Sequence, residues 1–442
     1  SDKFFLCGWF FIPSDHIRNM AEEKVKVYQI GLGSFGRYGF EKLVDMHRHM
    51  KLPEVEMAGI CEKDYEKRED AEKFASIHGV NLETFDHVEE MYNHASEQNE
   101  TVMIYDAGPS QLHSRHIYES MSRGFYHLAE KPPSFDRDAH LKEKKLAEEN
   151  EVMWKVDFIE RESPVVKKAL EILKGKKIDS IRVFRESSIG VQKLLEPVNR
   201  SGVKGGDIFD KMIHEAYVLD FLEVSESELE LKTRSAVSDY LMPYKIGGDK
   251  FMDLNGGYTE ELEEAATART SAELSAGETS IEFHSSWFGL SEQARLTAQR
   301  VEDITGETVV NEEHKTVDGR AFRDEEARFF IVKGERDLAG DMLHENLYNL
   351  DSGRKIDLPE LMHDQLHRTI KKAILNASGM KTENISRKET DIFMNAIFDI
   401  YEGSTPQREY YEELDRSMEK LRNMIVEDDK ILEHKESETL AG

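Results

Sequence analysis

The sequence predicts an α/β chain, with a doubly wound parallel sheet at the N-terminus followed by an α+β domain built on a large, mainly antiparallel open sheet. Three observations lead there. At 442 residues the chain is too long for one compact core, so two or three domains are expected. Residues 25 to 150 alternate short apolar runs with longer amphipathic ones, the pattern of βαβ units around a parallel sheet. Beyond them come strand-like stretches rich in β-branched and aromatic residues, with few helical runs between.

The elements follow in order. "KVKVYQIGLG" reads as the first strand, "FGRYGFEKLVDMHRHM" as its helix and "VEMAGICEKD" as the second strand. "YEKREDAEKFASIHG" is a helix stopped at Gly79, "ETVMIYDAGPS" a further strand with a turn after it, and "GFYHLAEKPPS" ends another. These make a domain of residues 25–151. A second domain, 152–404, opens on "VMWKVDFIE" and a helix entered through Ser163 and Pro164. "IDSIRVFRES", "TSIEFHSSWFGL" and "ARFFIVKG" supply its sheet, with helices expected on one face, and residues 361–403 read as two amphipathic helices. Residues 1–24 form an ordered arm or edge strand, and 405–442 a charged surface helix with a frayed end.

Composition narrows the function. The chain is 39% hydrophobic and 33% charged, a globular balance. Its net charge of −29 argues against nucleic acid or an anionic membrane surface as the partner, since either calls for a basic face. Cys7 and Cys61 are the only cysteines, which points to no disulfide framework and a reducing, cytoplasmic compartment. No Cys/His spacing suggests a metal. The run "FFLCGWFFIP" is too short to span a bilayer and lacks the marks of a leader peptide.

"YQIGLGSFGR" sets Gly31, Gly33 and Gly36 in GxGxxG spacing after a strand and at the mouth of a helix, the signature of a Rossmann dinucleotide site. Gly31 permits the tight turn, Gly33 lets the backbone approach a pyrophosphate, and Gly36 brings helix onto strand. Ser34 and Phe35 fill the two positions between them. Glu62 ends the second strand, where a carboxylate grips the adenosine ribose hydroxyls and so favours NAD. Lys63 beside it would suit the 2'-phosphate of NADP, which keeps that cofactor open.

Two further places carry chemistry. Lys131, in "AEKPPS", stands at the carboxyl end of a strand, the edge where open α/β sheets bind ligands, with Glu130 beside it, and both are expected to contact the cofactor. In "GGDIFDKMIHEAYVLDF", Asp210 and His214 are four residues apart, so one helix would present both on the same face, with Lys211 and Glu215 as a separate solvent-side pair. Gly205 and Gly206 allow a sharp entry, and Asp207 reads as the N-cap. His214 is the candidate base for an alcohol proton, since imidazole with its pKa near 6.5 suits neutral pH. Lys131 would hydrogen-bond the same oxygen, and the division of proton transfer between the two stays open. Asp210 either holds a neighbouring hydroxyl or orients Lys131.

With these residues in view, the chain resembles the glucose-fructose oxidoreductase and inositol dehydrogenase family, Gfo/Idh/MocA. The resemblance rests on "GLGSFG", "GPSQLH", "EKPPS" and "GGDIFDKMIH", in the family's order, and covers most of residues 25 to 403. It implies a Rossmann domain followed by an α/β domain whose open sheet often supports oligomers, here a homodimer or homotetramer. It also implies an NAD(P)-dependent dehydrogenase or reductase acting on a sugar, sugar acid or cyclitol. An NAD-dependent glycosidase or epimerase that recycles a tightly bound cofactor is the alternative. The family's lysine falls on Lys131, and its Asp and His fall on Asp210 and His214. His113 resembles a family histidine near the nicotinamide, and the Lys131–Pro132 bond is expected to be cis. The turn Ala107–Ser110, and Glu62 where the family often has Asp, depart from the pattern.

Overall fold

The computed structural model describes residues 24–406, apart from 52, 189–205, 226–229, 242–243, 248–249, 253–257, 260–265, 288, 318–319 and 380–386. The expected N-terminal arm, Gly205 and the charged segment beyond residue 406 therefore lie outside the described residues.

Six parallel strands run in the order β3-β2-β1-β4-β5-β6, the Rossmann order, so β1 and β4 meet where the winding reverses. They are β1 (Val25–Ile30), β2 (Val55–Cys61), β3 (Glu83–Phe85), β4 (Thr101–Asp106), β5 (Tyr126–Ala129) and β6 (Trp154–Val156). Helices α1 (Ser34–His49), α2 (Tyr65–Ile77), α3 (Val88–Ser96), α4 (Ser110–Ser122) and α5 (Arg137–Glu149) connect them. β1 is almost wholly buried, as a strand with helices on both sides must be. The sequence reading starts the second domain at residue 152, yet β6 pairs with β5, so the parallel sheet takes in Trp154–Val156.

A 3-10 turn (Ile159–Glu162) and α6 (Pro164–Leu173) lead to the second sheet, with the Ser163 side chain accepting from the Val165 N–H at the start of α6. Then come β7 (Ile178–Ser187), α7 (Gly206–Asp210), α8 (Tyr217–Val224), β8 (Leu231–Leu241), a small sheet of β9 (Tyr244–Gly247), β10 (Lys250–Met252) and β11 (Tyr258–Thr259), β12 (Ala266–Ala276) and β13 (Thr279–Ser286). They are followed by α9 (Glu292–Thr305), β14 (Val310–Val317), β15 (Arg320–Gly334), β16 (Leu338–Asp341), β17 (Asn346–Asn349), β18 (Arg354–Ile356), α10 (Gln365–Ala377), α11 (Arg387–Gly403) and β19 (Thr405–Pro406). The sheet order is β18-β17-β16-β15-β7-β13-β12-β8-β19, with β14 beside β15; only β7–β13 and β8–β19 pair in parallel. β19 carries this sheet one strand past residue 404.

Helices α6, α8 and α11 bury Val165, Leu219 and Ile397 with Val183, Phe283 and Phe330 on one face of the sheet. The expectation that all helices lie on that face is not met. α9 covers part of the opposite face, placing Ala294, Ala298 and Val301 over Phe184, Phe329 and Ile331, because strands apolar on both sides need cover on both. Farther along, that outer face is polar, with Ser271 exposed and Glu282 and His284 half-buried. α10 returns to the first domain, where Leu366, Ile370 and Ile374 join the core of Val27, Phe40 and Leu43. Among the described residues no helix is long and apolar enough to cross a membrane.

Candidate active site

The glycine turn is built as its spacing demands. Gly31 has φ +85°, and a Cβ there would stand 2.6 Å from the Ala107 carbonyl oxygen. A Cβ on Gly36 would meet the Gly31 oxygen at 2.5 Å, so α1 packs directly onto the turn. Gly33 is different: a Cβ would find nothing within 4 Å. The loop is open there, and the α1 N-terminus has no side-chain cap, which leaves its N–H groups for an anion. Ser34 and Phe35 are exposed on the same rim. Glu62 caps the loop from the end of β2, its Oε2 accepting from the Leu32 N–H at 2.7 Å. Lys63 is exposed and makes no hydrogen bond or ion pair among the described residues. This open cradle with an acid at its edge fits a dinucleotide.

Across the cleft, the peptide bond before Pro132 is cis. Lys131 Nζ donates to Asp210 twice, to Oδ1 at 3.0 Å and to the backbone carbonyl at 2.9 Å. Trp287 Nε1 donates to the other carboxylate oxygen at 2.9 Å. Asp210 thus holds the Lys131 ammonium and is itself held by Trp287.

Residues 206–221 do not form one helix. α7 ends at Asp210, and Met212–Ala216 winds as a 3-10 turn before α8. Lys211 and Glu215, expected as a solvent-side pair, are both buried. Lys211 Nζ reaches Ser187 Oγ and the Ser286 carbonyl, each at 2.5 Å, while Glu215 faces Arg185 at 3.4 Å. Asp207 is buried inside α7 rather than capping it, and accepts from Thr270 and Ser285 of the sheet. Burying these polar groups requires partners from the strands. Meeting them breaks the helix.

His214 has a partner that the sequence reading missed. Its Nδ1 lies 3.0 Å from the Glu160 carboxylate. Arg185 Nη1 and Arg328 Nη2 reach the same carboxylate at 2.9 and 3.0 Å. Glu160 is held well below the usual carboxyl range against its own burial, by His214 and Arg185, so it stays ionised. An ionised carboxylate only accepts, so the proton sits on Nδ1 and the Nε2 lone pair is left to act. Burial, then Arg185, lowers His214 to about 3, so the ring is neutral at pH 7. The expectation of a value near 6.5 is thereby corrected. Lys131 also lowers that value, as a cation does to another base.

Two residues expected at the cofactor face inward. His113 is buried, with Nδ1 2.8 Å from the Pro132 carbonyl and Nε2 3.0 Å from that of Gly108, a clamp between the loops after β4 and β5. Glu130 Oε1 accepts from the Tyr105 hydroxyl at 3.0 Å. Burial raises Glu130 and holds the neighbouring Asp157 well above the ordinary carboxyl range. No group of three or more His, Cys, Asp or Glu side chains among the described residues is placed to hold a metal ion.

Comparison with known proteins agrees with this geometry. The Gfo/Idh/MocA family model, an oxidoreductase family with an NAD-binding Rossmann fold, matches residues 25–158. UDP-N-acetylglucosamine 3-dehydrogenase from Acidithiobacillus ferrooxidans superposes with a TM-score of 0.58 at 14% identity, over 87% of this chain and 98% of its own. A 3-ketoreductase from Actinomadura kijaniata, in complex with NADP and TDP-benzene, gives 0.56 at 14%, over 87% and 99%. Myo-inositol 2-dehydrogenase from Lactobacillus plantarum gives 0.55 at 13%, over 86% and 97%. At these identities the likeness is one of fold. A search of curated proteins finds no match.

Proposed function

We propose that this chain, whose residues 25–158 match the Gfo/Idh/MocA oxidoreductase model, is an NAD(P)-dependent dehydrogenase or reductase acting on a hydroxyl or carbonyl carbon of a sugar, sugar acid or cyclitol. One observation carries the reading: Lys131 from the Rossmann domain is fixed to Asp210 of the second domain, beside a His214 whose Nε2 has no partner among the described residues. The nicotinamide, when bound, supplies the hydride acceptor or donor. Gly31, Gly33, Ser34, Phe35 and Gly36 hold the pyrophosphate, and the Glu62 anion favours NAD by repelling a 2'-phosphate.

Oxidation of an alcohol releases a hydroxyl proton as the carbon loses hydride. His214 takes that proton at Nε2, while Glu160 keeps Nδ1–H in place and stabilises the imidazolium as it forms. Lys131 donates a hydrogen bond to the same oxygen and balances its developing negative charge. Asp210 and Trp287 keep that ammonium aimed. In the reducing direction the proton returns along the same path.

Incubating the purified protein with NAD and with NADP over a panel of sugars, sugar acids and cyclitols tests the reading. Formation of reduced dinucleotide with at least one of them, faster with NAD, is the expected result; no turnover of any despite dinucleotide binding contradicts it. We place the protein in the cytoplasm, as its two cysteines suggest, and as a homo-oligomer, as the family resemblance suggests, although the sheet face that α9 leaves uncovered is polar. A concentration-independent monomer mass in solution would refute that assembly.

A further inference from the structure

β7 and β15 are antiparallel neighbours whose register sets Arg185 directly opposite Arg328. Both side chains project from the sheet face that carries Val183 and Phe330, and both end on Glu160. Like charges facing each other across a strand pair repel, and the proximity of Arg185 lowers the proton affinity of Arg328. One Glu160 carboxylate oxygen receives both guanidinium groups while the same carboxylate also holds His214. The cluster therefore attracts a further anion.

The donors are there to receive one. A guanidinium carries five N–H groups in a planar fork matched to the two oxygens of a carboxylate or phosphate. Arg328 makes one hydrogen bond to the protein, to Glu160, and its buried Nε–H has no acceptor among the described residues. The side chain is 27% exposed although Nε is buried, so the N–H groups left for an incoming oxyanion are those at its tip that Glu160 does not use. The side chains of Arg185 and Arg328 are 13% and 27% exposed, comparable with 12% for His214, 21% for Lys131 and 24% for Asp210. Arg185, Arg328 and His214 all converge on Glu160, and Lys131 sits on Asp210, four residues before His214.

We infer that the substrate carries an oxyanion, a carboxylate or a phosphate, which docks on Arg328 with support from Arg185 and so places the neighbouring carbinol carbon at His214 and Lys131. The inference rests on the dehydrogenase reading and narrows it from polyols in general to anionic sugar derivatives. It also gives Glu160 two tasks, holding His214 and keeping two arginines together until the substrate anion arrives.

Binding and turnover are to be measured separately. Calorimetric titration of the NAD-bound protein with glucose, glucuronate, glucose 6-phosphate and UDP-glucose reads the preference directly. At least one anionic sugar should bind about tenfold or more tightly than glucose, as a desolvated charge-assisted pair implies. A uronate carboxylate, a phosphomonoester and a nucleotide diphosphate are told apart by which arm gains. The preference should collapse in Arg328→Gln and partly return in Arg328→Lys, with melting temperatures recorded for both because Glu160 loses one of its partners. Equal affinity for glucose and all three anions, weak or strong, overturns the inference, as does a preference that survives Arg328→Gln. Anion preference without dinucleotide reduction on any sugar would leave the docking site standing and sink the dehydrogenase reading instead.

Discussion

Gly31 and Gly33 stand two residues apart under opposite constraints. Alanine at 31 would place its Cβ against the Ala107 carbonyl in a left-handed backbone, whereas alanine at 33 meets open space. Gly31→Ala should therefore destabilise the fold by about 1–3 kcal/mol. Gly33→Ala should melt like the wild type yet bind dinucleotide more weakly, because the added methyl stands where the pyrophosphate approaches. Thermal melts beside dinucleotide titrations check both, and a Gly33→Ala protein with unchanged affinity would move the pyrophosphate away from this loop. Glu160 offers a second test at this scale. Glu160→Gln keeps the shape but removes the charge that fixes the His214 tautomer and raises its proton affinity. Turnover should fall by about tenfold or more with dinucleotide affinity nearly unchanged. His214 lies near 3 in the wild type, so its ring should not titrate between about pH 5 and 8. An acid limb near 6.5 that depends on His214 would contradict the buried geometry. Lys131, Asp210 and His214 were legible in the sequence because their motifs are local. Glu160 was not, because an acid in "DFIERES" looks like surface until the chain brings His214, 54 residues on, against it.

At the scale of elements, periodicity located α1 and α2 and the strands β7, β13 and the end of β15, since each is decided by which face is apolar, but it did not mark α3, α5, β8 or β12. It failed at residues 206–221. The i, i+4 spacing there suggests one helix, but Asp207 and Lys211 need partners on β7, β12 and β13, and the backbone turns as a 3-10 segment to deliver them. Such long-range polar satisfaction leaves no periodic trace. The α4–α5 contact carries a measurable consequence of the same kind. Glu143 of α5 is buried against Ser114 of α4, which donates to its Oε1, and Oε2 has no partner. Burial pushes its carboxyl up to about 8 from 4.5. A group raised in the folded state contributes fully below its unfolded value, so stability falls as pH rises from 4.5 toward 8. Glu143→Gln cannot ionise and still accepts from Ser114. Its melting temperature should gain on the wild type by a few degrees at about pH 8 and by less at about pH 5. Equal differences at both pH values would show that Glu143 is not held neutral.

In the whole molecule, the proposed function depends on two sheets meeting. The first brings Lys131 at the end of β5, and the second brings Asp210 and His214 after β7 together with Trp287 after β13. α10 ties the halves by burying Ile370 and Ile374 in the Rossmann core. The order of the two domains could be read from the alternation of runs, whereas the return of α10 could not, because an amphipathic helix does not encode which sheet it covers. The central claim is that this junction handles the proton of a hydride transfer. The most direct measurement is the single-turnover rate of dinucleotide reduction at neutral pH, for wild type, Lys131→Ala and His214→Ala, with dinucleotide affinity determined on the same samples. The account predicts that each substitution slows the step by about a hundredfold or more while affinity stays within about twofold. A His214→Ala protein that reduces dinucleotide at the wild-type rate would contradict it.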